Sequence, residues 1–190
     1  MRSLVVFTEE VSAKVMLESL LPRLLPQEKF SFVCVAFEGK QDLEKQLPIK
    51  LRGWRAPETR FIILRDQDNG DCKAIKKTLL GICTGARKSS RTLVRIVCRE
   101  LESWYIGDLR AVETALEIDG LSILQEKEKY RKPDRMKCPS KELKRMTKNR
   151  YQKISGSRLI GEHLSLDNSR SKSFHHFISG VRMVMNWNAM

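Results

Sequence analysis

The stretch RFIILRDQDNG, from Arg60 to Gly70, decides the fold. Its first part is an apolar, β-rich run, which predicts a buried strand over Arg60 to Asp66. The DQDNG sequence that closes the stretch is typical of a turn and cannot continue the strand. Two acidic residues, Asp66 and Asp68, therefore mark the point where the strand ends.

Strands and helices alternate on either side of this stretch. Similar apolar runs predict strands over Ser3 to Phe7, Phe30 to Phe37 and Thr92 to Cys98. Helical spacing predicts a first helix capped by Ser12 and a short second one over Lys40 to Leu47, followed by an irregular stretch at Pro48 to Trp54. It also predicts helices over Cys72 to Cys83, from about Leu101 onward, and over Phe174 to Trp187. The alternation predicts βαβ units and an α/β, Rossmann-like fold with a mainly parallel sheet flanked by helices.

The size and composition of the chain suit one compact unit. It has 190 residues, of which 41% are hydrophobic. We expect an α/β core over residues 1–120 and a basic, mostly helical extension packed on it over residues 121–190. No apolar run approaches the roughly 18 residues that cross a bilayer, and MRSLVVFTEE lacks the pattern of a signal peptide. These features predict a cytoplasmic protein that does not enter membranes.

The positive charge is concentrated in the basic segment, Lys127 to Arg158. It contains thirteen Lys and Arg against three acidic residues, and therefore holds ten of the thirteen net positive charges. Cations that neutralise phosphates release counterions, and the rings of Tyr130 and Tyr151 could stack on unpaired bases. The alternative is an ordinary solvated surface of basic helices. The candidate nucleic-acid-binding residues are Lys129, Arg131, Lys132, Lys144, Arg145, Lys153 and Arg158.

Acidic residues follow three of the four predicted strands. These pairs are Glu9 and Glu10, Asp66 and Asp68, and Glu100 and Glu102. Functional groups gather at the carboxyl ends of parallel strands, and clustered carboxylates repel one another unless a cation compensates. Mg²⁺ suits such a cluster because it prefers a few carboxylates with water and phosphate.

The spacing of Asp66 and Asp68 adds to this hypothesis. In an extended strand tip, two residues separated by one intervening residue point to the same face, as a DxD pair of metal ligands requires. A DQDNG sequence is also a common surface turn, so the motif gains weight only from the neighbouring acidic strand ends.

The chain resembles a known family. The stretches LLPRLLP, EGKQDLEK, FIILRDQDNGDC, CRELESWYIGDL, KYRKPD and NSRSKSFHHFISGVR occur in order from Leu20 to Arg182. They are similar to those of a small bacterial TOPRIM-like family of unknown function, related to the TOPRIM domains of topoisomerases, primases and OLD-family nucleases. Its members are often encoded beside AAA or ABC-type ATPases in anti-phage loci.

The resemblance implies roles for the acidic residues. Glu9 corresponds to the TOPRIM glutamate that acts as general acid/base or metal ligand, and Asp66 and Asp68 correspond to its metal-binding pair. The implied cofactor is Mg²⁺ or Mn²⁺. Glu10 follows where related nucleases often have glycine, so the principal role is open between Glu9 and Glu10. Further candidate ligands are Glu100, Glu102 and Asp108.

Two functions from different classes follow. The first is a Mg²⁺-dependent nuclease that cleaves DNA or RNA, including transfer RNA, as the effector of an ATPase-partnered anti-phage system. The alternative is a non-catalytic TOPRIM-fold subunit that docks on its ATPase or on nucleic acid, and a homodimer is left open. In the last helix, we expect Phe174, Phe177 and Val181 to face inward and Met183 and Trp187 to be available to another chain.

Overall fold

The computed structural model describes residues 2–26, 28–167 and 169–186. Within these ranges, four strands form one sheet, all parallel, in the order β2-β1-β3-β4. This confirms the predicted α/β, Rossmann-like fold with a parallel sheet. The strands are β1 (Arg2–Thr8), β2 (Phe30–Ala36), β3 (Thr59–Asp66) and β4 (Thr92–Val97).

Helices flank the sheet. They are α1 (Val11–Leu24), α2 (Lys40–Gly53), α3 (Cys72–Gly85), α4 (Glu102–Ile106), α5 (Leu109–Leu116), α6 (Pro139–Met146), α7 (Lys153–His163) and α8 (Lys172–Asn186). Short 3₁₀ turns lie at Ser89–Arg91, Ser122–Glu126, Glu128–Tyr130 and Pro133–Arg135.

Helix α2 is longer than the sequence predicts. It continues through Pro48 to Gly53 rather than ending at Leu47. A proline inside a helix removes one hydrogen bond and costs about 3 kcal/mol. Full burial of Leu43, Leu47 and Leu51 along one side of α2 offsets that cost.

Two other helix boundaries also differ from the prediction. Helix α1 begins at Val11, and Ser12 lies inside it, where its hydroxyl donates to Glu10 Oε2 at 3.4 Å rather than capping the helix. The helix predicted from about Leu101 is divided into α4 and α5, because the Asp108 side chain starts a new helix by accepting from the Ala111 N–H at 3.1 Å.

The sheet separates two apolar cores. On one face, Val5 and Phe7 of β1 pack with the leucines of α2 and with α3. On the other face, Leu4 and Val6 pack with α1, α4, α5, α7 and α8. Residues after position 120 belong to this second core, among them Tyr130, Leu143, Tyr151, Ile160 and Phe174.

Helix α8 packs on the edge strand β4. Phe174, Phe177 and Val181 are buried as predicted, and Met183 is 52% exposed. Trp187 lies outside the described residues. No helix in the described ranges is both long enough and apolar enough to span a membrane.

Candidate functional site: an acidic edge of the sheet

The carboxyl ends of β1 and β3 form the topological switch point of the sheet. From β1 the chain goes to β2 on one side and then returns to β3 on the other. The connections at this point leave toward opposite faces, which opens a crevice where parallel α/β sheets bind ligands. The residues that follow these two strands are Glu9 and Glu10, and Gln67 and Asp68. The predicted acidic residues thus lie at the position where this fold places ligands.

The first group at this edge, the Glu9 cluster, consists of Glu9, Asp68, Arg65, Lys40 and Glu44. Glu9 is 9% exposed, and its Oε2 lies 3.7 Å from Arg65 Nε. Arg65 also pairs with Glu44 of α2, and Lys40 Nζ lies 3.7 Å from Asp68 Oδ2. Burial raises the pKa of Glu9, the charge of Asp68 raises it further, and Arg65 opposes both effects.

The second group, the Asp66 cluster, consists of Asp66, Glu102, Glu10, Lys153 and Tyr151. Asp66 is partly exposed, and its Oδ2 accepts from the Leu101 N–H at 3.1 Å. Burial of this carboxyl group raises its pKa well above the ordinary value, and the charges of Glu102, Glu9 and Glu10 raise it further. Asp66 is therefore the carboxylate at which the two clusters meet.

The rest of the Asp66 cluster consists of a buried hydrogen bond and a separate, more exposed ion pair. Glu102 is 2% exposed and accepts from the Tyr151 hydroxyl at 2.9 Å. Burial raises the pKa of Glu102. Lys153 forms an ion pair with Glu10. Burial alone would lower the pKa of Lys153, but its hydrogen bond to Glu10 and the nearby carboxylates raise it.

Lys153 reaches this edge because α7 runs alongside α1 in the same direction. Gly161 of α7 lies so close to α1 that a Cβ there would be 2.6 Å from the Met16 carbonyl oxygen. Arg23 of α1 donates to the Gly161 carbonyl at 3.2 Å. The paired helices therefore begin together at the acidic edge, with Glu10 before one and Lys153 at the start of the other.

The edge also contains unsatisfied polar atoms. Among the described residues, the buried side-chain atoms without a hydrogen-bond partner are Glu9 Oε2, Arg65 Nε and the Tyr105 hydroxyl. The first two are the partners of the Glu9–Arg65 ion pair, 3.7 Å apart. Burial raises the pKa of Tyr105, Ser157 lowers it, and the charges of Glu102 and Asp66 raise it further. Buried polar groups are nearly always hydrogen-bonded, and exceptions are often found where a catalytic group, a water or an ion belongs.

The structure does not arrange Asp66 and Asp68 as an extended DxD pair. Strand β3 ends at Asp66, and Asp68 has a left-handed backbone with φ +52°. Its N–H donates to the Arg99 carbonyl at 2.7 Å, which holds the turn in place. The same-face geometry predicted for these residues is therefore wrong, and the two carboxylates belong to different clusters.

Two predicted acidic residues have structural partners elsewhere. Glu100 accepts from the Ser140 N–H at 2.8 Å at the start of α6. Asp108 caps α5 and also accepts from the Ser165 N–H at 2.8 Å. Both carboxylates satisfy helix or loop N–H groups that would otherwise lack partners.

The basic segment divides into paired and free cations. Lys129 and Arg145 both pair with Glu142. The hydrogen bond from Arg145 is the main reason that the pKa of Glu142 falls to about 2. Among the candidate nucleic-acid-binding residues, those that are exposed and form no ion pair in the described ranges are Arg131, Lys132, Lys144 and Arg158.

The two tyrosines of the basic segment are not available for base stacking. Tyr130 is 4% exposed and Tyr151 is 1% exposed, and both belong to the apolar core. Their hydroxyls donate to Glu142 and Glu102 respectively. The prediction that their rings stack on bases is wrong, because both rings face inward. The alternation of charged and aromatic residues in the sequence does not show which way a ring faces.

Sequence analysis did not identify Arg65, Lys40 and Tyr105 as residues of the site. Arg65 directly precedes Asp66, and a cation at the end of an otherwise apolar strand is a signal that could have identified it. Lys40 lies at the start of α2, whose beginning also faces the carboxyl edge. Tyr105 carries no such signal, since an aromatic residue in an apolar helix usually belongs to the core.

The acidic edge fits a divalent cation held by few protein ligands. Within the described ranges, no group of three or more His, Cys, Asp and Glu side chains has the geometry of metal ligands. Mg²⁺ often takes only one or two carboxylates and completes its shell with water and phosphate. Asp66 and Glu9 are the two carboxylates that could serve, because the charge of Glu9 acts on Asp66 and Glu9 Oε2 makes no hydrogen bond beyond its 3.7 Å ion pair with Arg65.

Comparison with known proteins identifies a family. Residues 8–182 match the model of a domain of unknown function, DUF4276. No curated protein and no solved structure matches the chain. The matched range includes both clusters, the basic segment and most of α8. The chain therefore belongs to the DUF4276 family.

Proposed function

We propose that the protein is a Mg²⁺-dependent nuclease whose catalytic centre is the acidic edge. The observation that carries this proposal is Asp66, a carboxylate at the switch point of the sheet on which the charges of Glu9, Glu10 and Glu102 all act. Such an arrangement is costly without a compensating cation. Perturbed carboxylates in a crevice are also characteristic of functional sites.

Asp66 and Glu9 would hold the ion, which when bound would polarise the scissile phosphate and activate a water molecule. Asp66 must release its proton before it can act as a ligand, and its raised pKa makes ion binding stronger as the pH rises. Glu10 is the more exposed of the two glutamates and is paired with Lys153. This difference favours Glu9 as the ligand and Glu10 as the residue that positions Lys153.

The free cations of the basic segment would hold the nucleic-acid backbone. Four of them are removed in the variant Arg131→Ala/Lys132→Ala/Lys144→Ala/Arg158→Ala. This variant should bind more weakly and with a flatter salt dependence, because fewer counterions are released. Affinity measured across a salt series tests this. An unchanged slope would show that these side chains are only solvated.

A nuclease assay tests the proposed activity. Labelled single-stranded DNA, duplex DNA, RNA and transfer RNA are incubated with Mg²⁺, Mn²⁺ or EDTA. We expect cleavage that requires the metal and is lost in Asp66→Asn. The matched control is Asp71→Asn, which removes a charge from the same loop at a helix N-cap, where Asn serves as well as Asp. Cleavage that persists in EDTA or in Asp66→Asn would refute the proposal.

The wider assignment follows from the family resemblance. An acidic residue after β1 and the acidic residues Asp66 and Asp68 at the end of β3 are compatible with a TOPRIM relationship, and we propose that relationship together with a cytoplasmic location. We further propose that the protein is an anti-phage effector held inactive by an AAA or ABC-type ATPase. Co-expression with a neighbouring ATPase and size-exclusion chromatography tests this, since separate elution with and without ATP would contradict it.

A second candidate is a non-catalytic subunit of the same fold. The observation in its favour is that Glu9, Glu10 and Asp68 each have a cation partner in the described structure, as acidic residues in a structural network do. In that case Asp66→Asn would leave binding to the ATPase or to nucleic acid unchanged, and the wild-type protein would cleave none of the four substrates.

A further inference from the structure

We propose that a basic pocket next to β4 binds a terminal phosphate group, that is, a phosphate monoester at the end of a nucleic-acid strand or on a free nucleotide. The pocket has a volume of about 150 Å³. It lies outside both acidic clusters. Its charged lining consists of Arg131, Lys132, Asp134, Arg135, Arg170 and Lys172.

The pocket brings together two sequence motifs that are far apart in the chain. KYRKPD and the following arginine contribute the residues from Arg131 to Arg135, and NSRSKSF contributes Arg170 and Lys172. The 3₁₀ turn Pro133–Arg135 and the start of α8 hold the two segments against each other. Neither motif has a role in the proposed catalytic centre.

The one acidic residue in the lining, Asp134, offsets only part of the positive charge, because five cationic side chains line the same pocket. The Asp134 carboxylate accepts from the Ser171 hydroxyl at 2.6 Å, from the Ser173 N–H at 2.8 Å and from the Ser173 hydroxyl at 3.3 Å. It therefore serves the first turn of α8. Within the described ranges, Arg131, Lys132, Arg135 and Lys172 form no ion pair, and Arg170 pairs with Glu126.

The size and charge of the pocket favour one phosphate group over a larger ligand. Pockets that enclose drug-sized molecules measure about 300–1,000 Å³, so about 150 Å³ is too small for a whole nucleotide. Four cations without an ion pair around one concave space suit a dianion with three terminal oxygens, because charge-assisted hydrogen bonds to phosphate are strong and short. A backbone phosphodiester carries a single charge and two free oxygens.

The pocket lies on the same side of the sheet as the acidic edge. The Ser173 hydroxyl accepts from the N–H of Cys98, the first residue after β4, at 3.3 Å. Strand β4 is the direct neighbour of β3, which ends at Asp66. A nucleic-acid strand whose end is held in the pocket would thus lie at the edge of the sheet that carries the catalytic centre, and this extension of the inference rests on the proposed function.

Binding of 5′-phosphorylated and 5′-hydroxyl forms of one oligonucleotide tests the proposal. Fluorescence anisotropy is measured in EDTA, so that no metal-dependent cleavage occurs. We expect the wild-type protein to bind the phosphorylated form about tenfold more tightly, equivalent to roughly one charge-assisted hydrogen bond. Equal affinity for the two forms would overturn the proposal.

Two double variants separate the pocket from general charge. Arg135→Ala/Lys172→Ala should abolish the preference for the phosphorylated form. The control Lys76→Ala/Lys77→Ala removes the same charge from exposed positions on α3 and should keep the preference. A preference that survives in the pocket variant, with unchanged circular dichroism, would overturn the proposal. Asp66→Asn should retain it, so failure of the proposed nuclease activity is distinguishable from failure of the pocket.

Competition experiments identify the source of the phosphate. Uridine 5′-monophosphate and inorganic phosphate are each added to the complex with the phosphorylated oligonucleotide. We expect both to reduce its affinity to that of the hydroxyl form, and the failure of both to do so would overturn the proposal. A free nucleotide is the ligand if the monophosphate binds as tightly as the oligonucleotide, and a strand end is the ligand if the oligonucleotide binds more tightly.

Discussion

The Glu9 cluster and the Asp66 cluster lie at the same edge of the sheet but balance their charges differently. In the Glu9 cluster, the two cations Arg65 and Lys40 compensate three carboxylates, and Arg65 is buried and pairs with two of them, Glu9 and Glu44. In the Asp66 cluster, the one cation is Lys153 at the outer end. The Asp66 and Glu102 carboxyls therefore depend on protons, or on a cation from outside the chain, for compensation.

This difference explains why the two clusters should respond differently to mutation. Side chains of the chain itself can satisfy most of the Glu9 cluster. The Asp66 cluster has three acidic groups against one cation, which is the condition that favours metal binding. Substitutions at the two clusters and in the helices that support them test this difference.

The largest effect should be on metal affinity. Asp66→Asn removes the carboxylate on which the other charges converge, and we expect at least a 100-fold loss of Mn²⁺ affinity, or about 2.7 kcal/mol. Isothermal titration calorimetry measures it, with Asp71→Asn as the control. An affinity within threefold of wild type would place the ion elsewhere.

Next in size is the effect of Gly161→Ala on stability. The new Cβ would lie 2.6 Å from the Met16 carbonyl oxygen, so α1 and α7 must separate. We expect a loss of about 1–3 kcal/mol in the free energy of unfolding by urea. The matched substitution Gly81→Ala places a methyl group in open space on α3 and should not destabilise the protein. Equal effects of the two would contradict the close packing of α1 on α7.

The pH dependence of stability separates the clusters further. Since burial and the neighbouring carboxylates raise the pKa of Asp66, the folded state holds this proton more tightly than the unfolded state does. The resulting stabilisation is complete below the ordinary pKa of 3.8 and is lost as the pH rises through the raised pKa. In the Asp66→Asn variant, which has no carboxyl group to ionise at this position, we expect no such loss of stability as the pH rises.

Urea unfolding in EDTA at several pH values measures this effect. The stability of Asp66→Asn should equal that of wild type near pH 4 and exceed it at higher pH by on the order of 1–3 kcal/mol, the cost of a poorly paired buried group. A difference that is independent of pH would show that Asp66 ionises as freely in the folded protein as in the unfolded chain.

The smallest effect concerns the two exposed lysines. Lys153→Met and Lys40→Met each break an ion pair at the surface, and each should cost only about 0.2–1 kcal/mol. They should differ in the pH profile. In Lys153→Met, the charge that lowers the pKa of Glu102 is gone, so this pKa rises further. The loss of stability should therefore move to higher pH. Identical profiles for the two variants would remove the distinction between the clusters.

Sequence patterns predicted the framework of the site better than its details. Alternating strands and helices were sufficient to place Glu9 and Asp66 at one edge, because parallel strands all end on the same side. They could not predict the left-handed backbone of Asp68 or the use of Glu100 at the start of α6, since both depend on tertiary hydrogen bonds. The arrival of Lys153 depends on α7 packing beside α1, a contact between residues far apart in sequence.

The central claim is that Asp66, together with Glu9, holds a divalent cation at the switch point of the sheet. A crystal of the wild-type protein soaked in Mn²⁺ above neutral pH tests this most directly through anomalous scattering. The account predicts a peak at about 2.0–2.6 Å from an Asp66 carboxylate oxygen, within reach of Glu9, that is missing in Asp66→Asn crystals. A map without a peak at this edge, or with the same peak in the Asp66→Asn variant, would contradict it.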